Sequence, residues 1–201
     1  MCILVLTVKK KNVIIPAILI ACFITGMQRV TIFSVDFTML RIILILGFFR
    51  IIIRGEYTAF TLNIIDKMML YYMITKIIVY TLQWMSIGAI VYVFGETLDI
   101  LVSYFFVRIV VSDINGIDIT IKTLILVSIP IAGFMLYEQF SGGSNIFSAF
   151  GGVPEWSQIR NGRLRAQGTF PHSIMAGTFG AMLLPLSWGI WQRNKKLIAI
   201  L

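Results

Sequence analysis

The residues best suited to chemistry lie between Arg160 and Gly177, in the run R-N-G-R-L-R-A-Q-G-T-F-P-H-S-I-M-A-G. Arg160, Arg163 and Arg165 fall within six positions, and His172 is the only histidine among the 201 residues. Each guanidinium presents a planar fork of donors that matches phosphate or carboxylate oxygens, and it stays charged at any relevant pH. If the segment is extended, Arg163 and Arg165 point the same way, a geometry that suits a diphosphate. The same side chains could equally hold lipid headgroups at a membrane surface. His172 follows Pro171 at the expected start of a helix, where free N–H groups favour an anion. Its ring could accept a proton, or serve simply as an interfacial or capping group.

Other candidates are weaker. Gly168, Gly177 and Gly180, with Ala176 and Ala181, put small residues on one helix face; Gly177 and Ala181 have a spacing that permits close helix contact. Asp36, Asp99, Glu138 and Glu155 could act as acid and base or neutralise the arginines, but no spacing pairs them. Neither Cys2 nor Cys22 belongs to a C-x-x-C pair, so no His/Cys metal site is expected and no metal is assigned.

These residues must be positioned by a membrane protein. The chain is 58% hydrophobic and 13% charged, with a mean hydropathy of +0.91. A soluble domain carries about 25% charged residues, and this one has too few to be solvated on all sides. The net charge of +8 is spread over the ends of apolar runs, which reads as topology rather than as a nucleic-acid stripe. Apolar runs at Val13–Met27, Met39–Ile53, Met68–Phe94, Thr97–Val111, Ile121–Tyr137 and Ser173–Trp191 predict an all-α, polytopic transmembrane helical bundle of about six spans. A seventh run opens at Leu197 and the sequence stops at Leu201, so residues 1–201 read as one transmembrane domain truncated at its C-terminus.

The positive-inside rule places the N-terminus in the cytoplasm, with Lys9, Lys10, Lys11, Arg193, Lys195 and Lys196 among the basic residues on that side. The three arginines of the opening stretch then fall outside, against the bias. They belong to a long external loop, residues 138–171, in which Phe147, Phe150, Val153 and Trp156 supply enough apolar surface to fold back on the membrane face. Near the ends of the second run, Arg41 and Arg50 are expected to snorkel to the interface.

The segment Arg163-Leu164-Arg165-Ala166-Gln167-Gly168-Thr169-Phe170-Pro171-His172 resembles the R-x-R-A-x-G-T-F-x-H-P pattern of bacterial O-antigen ligase and polymerase-like membrane proteins. Asp36 followed by Arg41, Arg50 through Glu56, Tyr104 with Arg108, and Glu138 before a Gly-rich loop look similar too. Ser173 departs from the pattern, which often has proline after the histidine. The resemblance implies a GT-C-like enzyme of the bacterial inner (cytoplasmic) membrane. Such an enzyme transfers glycan from an undecaprenyl-diphosphate carrier to a lipid or glycan acceptor, with no metal, nucleotide sugar or other cofactor. It assigns Arg163 and Arg165, and Arg160 with them, to the carrier diphosphate and His172 to a supporting position. The catalytic histidine is expected in an external loop beyond Leu201, which would leave residues 1–201 inactive alone. A transporter or flippase of lipid-linked glycans would use the same arginines without bond chemistry, and a non-catalytic membrane subunit would use them only to anchor lipid.

Overall fold

A computed structural model describes residues 2–25, 29–32, 35–58 and 60–193, and of residues 2–4, 29–32, 35–37 and 193 it describes the backbone alone. The chain is mostly helical. Its helices are α1 (Cys2–Thr7), α2 (Ile14–Phe23), α3 (Met39–Ile53), α4 (Ile64–Trp84), α5 (Ile87–Val110), α6 (Ile114–Phe140) and α7 (Ser173–Arg193). Two short antiparallel hairpins, β1 (Arg29–Ile32) with β2 (Val35–Thr38) and β3 (Ile159–Arg160) with β4 (Arg163–Leu164), complete it.

Among the described residues three helices are long and apolar enough to cross a membrane: α5, α6 and Ser173–Gln192 of α7. At 1.5 Å per residue they reach roughly 36, 40 and 30 Å, against a hydrocarbon core of about 30 Å. The described helices therefore supply three candidate spans where six were expected. The first expected run, Val13–Met27, supplies only the ten-residue α2, because the chain turns extended at Ile24. The 15-residue α3 has the expected bounds but is also short. α4 has the length, yet Asp66, Lys67 and Lys76 interrupt its apolar character. The seventh run at Leu197 lies outside the described residues.

One boundary also moves. The run Met68–Phe94 is not continuous: Met85 adopts a left-handed conformation (φ 43°) and ends α4, and α5 then absorbs the run that was expected to start at Thr97. Side-chain hydropathy cannot show this break, because it is a backbone event between two apolar stretches. It moves Trp84 from mid-span to a helix end, where an amphipathic ring is at home.

The chain divides into two compact units, one of Met1–Ile43 and Val111–Leu201 and one of Leu44–Val110. In the first, α6 is the central element and packs against α2 and α7. Ile14, Ala17, Ile18 and Ile20 of α2 and Ile125, Val127 and Ile131 of α6 are buried, and α7 buries Ala176 and Ile190. The small-residue face is only partly a packing face: Ala176 is buried, whereas a Cβ on Gly177 or Gly180 would meet nothing within 4 Å among the described residues.

In the second unit α4 and α5 form a helical hairpin. Its open end is locked by Asp66, which is fully buried and accepts hydrogen bonds from the Tyr104 hydroxyl at 2.6 Å and the Asn63 N–H at 2.8 Å. Arg108 Nε lies 3.5 Å from the same carboxylate, and its guanidinium stands over the Phe60 ring. Tyr104 first, then Asn63, outweigh the cost of burial and hold the Asp66 carboxyl below its ordinary pKa. Arg50 does not snorkel. It is 2% exposed and pairs with Glu56 at 2.9 Å, which removes both charges from lipid.

An arginine-faced hairpin built on a buried glutamate

The chain between α6 and α7 is held by one carboxylate. α6 runs through Phe140, so Glu138 belongs to its last turn rather than to the loop that was expected to begin there. Its side chain is 1% exposed and accepts hydrogen bonds from Ser157 Oγ, from the Gln167 N–H at 3.1 Å and from the Gly168 N–H at 2.8 Å. All three donors are neutral, and each comes from a distant point of the loop. Bonds to a charged acceptor in a buried setting are worth more than neutral ones, so a single side chain pins the middle of the connection and its far end to the helix terminus.

Backbone bonds continue the job. The Gly143 N–H donates to Glu138 O at 2.8 Å, and the Ser157 N–H donates to Gly143 O at 2.9 Å. Asn145, 3% exposed, donates from Nδ2 to Gly168 O at 2.9 Å and accepts from the Phe147 N–H. Phe147 is buried and stacks edge-on against Phe134 with centroids 5.0 Å apart, so it is a core residue and not the membrane-facing one expected. Gly168 must be glycine twice over. Its φ is +59°, and a Cβ there would stand 3.1 Å from Met135 Cγ.

On this base sits the β3–β4 hairpin. Asn161 (φ 53°) and Gly162 (φ 71°) form its two-residue turn, and positive φ at both positions is what a type I′ turn needs. Arg160 and Arg163 are direct cross-strand partners. The Arg165 N–H donates to Gln158 O at 3.0 Å, extending the ladder by one pair. Residues two apart on a strand share a face, and so do direct cross-strand partners. Arg160, Arg163 and Arg165 therefore share one face of the hairpin, and Ile159 and Leu164 share the other. Leu164 packs on Gly143, where a Cβ would be only 2.8 Å from its Cδ1.

Thus the three arginines come together, by a route that spacing alone could not supply. The i, i+2 relation places Arg163 with Arg165, but only the Asn161-Gly162 turn folds Arg160 back beside them. Among the described residues, no carboxylate pairs with any of the three. Like charges directly opposite each other destabilise a ladder, so this face is built at a cost that an anion would offset. His172 is not part of it. It stands before the first turn of α7 with its carbonyl accepting from the Met175 and Ala176 N–H groups, and its side chain is exposed. Glu155 is exposed as well, Asp36 falls where side chains are not described, and Asp99 lies in the other unit.

Sequence reasoning missed Thr169. It is 4% exposed, its hydroxyl has no hydrogen-bond partner among the described residues, and it lines a cavity of about 310 Å³ with Ile24, Met39, Leu40, Phe170 and Met175. No motif marks a lone threonine, and the orphaned hydroxyl becomes visible only once its neighbours are placed. Among the described residues no group of histidine, cysteine and carboxylate side chains could hold a metal ion. Comparison of the chain with protein-family models, curated proteins and solved structures gives no match.

Proposed function

We propose that this chain is part of a multi-pass glycan ligase or polymerase of the bacterial cytoplasmic membrane. In this reading Arg160, Arg163 and Arg165 hold the diphosphate of a polyprenyl-linked glycan. One observation carries the proposal: three guanidiniums share a hairpin face with no carboxylate partner among the described residues. The hairpin supplies what a diphosphate needs, which is forked donors from two adjacent strands held by a rigid turn. As a glycosidic bond to the carrier breaks, negative charge grows on the leaving diphosphate, and donors already in place stabilise that charge without reorganising. His172 stands seven residues beyond Arg165, just before α7 and apart from the arginine face, and takes no part in holding the diphosphate.

The orientation follows from charge around α6 and α7. Lys122 lies in the first part of α6, and Arg193, Lys195 and Lys196 lie at or beyond the end of α7, at the ends remote from the loop. The positive-inside rule then puts that side in the cytoplasm and the arginine hairpin outside.

The test uses the chain reconstituted in lipid nanodiscs, with farnesyl diphosphate as probe. Losing one charge-assisted bond should weaken binding about tenfold in each of Arg160→Ala, Arg163→Ala and Arg165→Ala, with farnesyl monophosphate binding more weakly than the diphosphate. Unchanged affinity in all three variants would sink the assignment. For the longer enzyme the readout is labelled glycan passed from a polyprenyl-diphosphate carrier to a lipid or glycan acceptor. Carrier moved across a vesicle with no glycan transferred would mean a flippase instead.

A further inference from the structure

The arginine face of the hairpin carries more than arginines. The chain from Trp156 to Arg160 is held extended by bonds on both edges, and residues two apart along it share a face. Trp156 and Gln158 therefore lie on the same side as Arg160. Burial agrees: Trp156, Gln158 and Arg160 are exposed, whereas Ser157, on the opposite face, is buried against Glu138. A third extended segment borders the hairpin. Ser144 pairs with Trp156 in an antiparallel bridge, flanked by the Ser157 N–H donating to Gly143 O and the Asn145 N–H donating to Glu155 O, both at 2.9 Å. Direct partners share a face, so Ser144 joins the same surface. On the other edge the Arg165 N–H donates to Gln158 O, which makes Trp156 and Arg165 diagonal neighbours, roughly 7–8 Å apart. A single exposed tryptophan needs no explanation by itself. This one is 60% exposed on a bonded strand beside three guanidiniums, and neither its indole nor the Gln158 amide has a partner among the described residues.

We propose that Trp156, with Gln158 and Ser144 beside it, forms the subsite for the first sugar of a glycosyl diphosphate whose diphosphate lies on Arg160, Arg163 and Arg165. The inference rests on the diphosphate reading above and adds what stands next to that diphosphate. The chemistry of the surface fits a pyranose ring. One face of a pyranose is a sheet of C–H bonds, apolar and weakly positive, which matches the negative face of an indole. Its rim is made of hydroxyls that both donate and accept, and the groups flanking Trp156 do the same. The Gln158 amide has an acceptor oxygen and two N–H donors, and the Ser144 hydroxyl serves either way. A hexose joined directly to the diphosphate covers the diagonal from Arg165 to Trp156. A prenyl chain in that position would leave the amide and the hydroxyl covered by hydrocarbon, which costs free energy instead of gaining it. The strand that carries Trp156 is tied through Gly143 and Ser157 to the α6 terminus, so little backbone order remains to be imposed when the sugar arrives.

The experiment titrates farnesyl diphosphate and farnesyl-diphosphoryl glucose, galactose and N-acetylglucosamine into the chain in lipid nanodiscs. At least one glycosylated probe should bind more tightly than farnesyl diphosphate. Trp156→Ala should weaken that probe about fivefold and leave farnesyl diphosphate unchanged, while Trp156→Phe keeps most of the gain. Arg163→Ala, by contrast, should weaken both ligands alike. Equal binding of bare and glycosylated probes would overturn the sugar subsite and leave the diphosphate reading standing, as would a glycosylated probe that binds Trp156→Ala undiminished. Failure of every probe to bind the unmodified chain would overturn the diphosphate reading and the subsite with it. Should Trp156→Ala weaken both ligands alike, the emission of the unmodified chain minus that of Trp156→Phe decides. It should shift with the glycosylated probe and not with farnesyl diphosphate, and no shift with either would overturn the proposal.

Discussion

Replacing Glu138 by glutamine should release the arginine hairpin while leaving the spanning helices in place. In the native chain the carboxylate takes three donors: Ser157 Oγ, the Gln167 N–H and the Gly168 N–H. The amide removes the charge and turns one acceptor oxygen into a donor; the Gln167 N–H reaches both oxygens and keeps one, so either the Gly168 N–H loses its partner or the Ser157 hydroxyl has to turn round and accept. A buried donor left without a partner costs about 1–3 kcal/mol, and the change from charged to neutral acceptor adds about 1 kcal/mol for the bonds that remain. A local loss of roughly 3 kcal/mol corresponds to about a hundredfold faster opening of this network. Neither α6 nor α7 depends on Glu138 for the apolar length that holds it in a bilayer, so the effect should stay in the loop. Amide hydrogen exchange of the reconstituted protein reads this directly. Peptides covering residues 157–170 should lose protection by about two orders of magnitude, in line with that estimate, while those from the middle of α6 should not change. Equal protection in both proteins would refute the idea that this carboxylate organises the site, as would a loss of protection spread evenly over α6.

Three further outcomes follow from single contacts. Gly168→Ala forces a side chain into a left-handed backbone against Met135 and should cost about 1–2 kcal/mol, seen as a lower midpoint in thermal unfolding in detergent. At Gly47 a Cβ would overlap the Phe106 ring, so Gly47→Ala should destabilise the α3–α5 contact by about 1–3 kcal/mol in the same assay, whereas Gly88→Ala, which meets nothing within 4 Å, should not. Asp66 has a folded-state pKa below its unfolded value of about 3.9, so its contribution is complete above that value and disappears as the pH falls through the lower folded one. Stability of the α4–α5 hairpin should thus be flat from pH 5 to 8 in this respect and fall only below about pH 4, and Asp66→Asn should abolish the acid limb. A titration with its midpoint near neutrality would contradict the Tyr104–Asp66 lock.

Much of the helical content could be read from residue types. The bounds of α3 and the start of α7 at Ser173 follow from where apolar runs meet polar residues and from Pro171, which favours a break before a helix. Helix ends inside apolar stretches could not be read: Met85 turns the chain between two greasy segments, and hydropathy is blind to a single φ angle. Burial could not be read for similar reasons. Phe147 looked like a membrane-facing ring and is packed on Phe134. Which apolar group finds a partner depends on neighbours far away in sequence, and composition does not encode them.

The candidate site divides in the same way. Residue types alone determined that Arg160, Arg163 and Arg165 would seek an anion and that their stretch lies between apolar helices, because charge and hydropathy are properties of single residues or near neighbours. Only the tertiary structure decided that all three arginines share one face and that Glu138 holds the middle and far end of the loop. It alone set His172 apart and left the Thr169 hydroxyl without a partner among the described residues. Those outcomes depend on bonds between groups up to thirty positions apart, such as Glu138 to Gly168, and a pairing of that kind exists only once the chain has closed on itself.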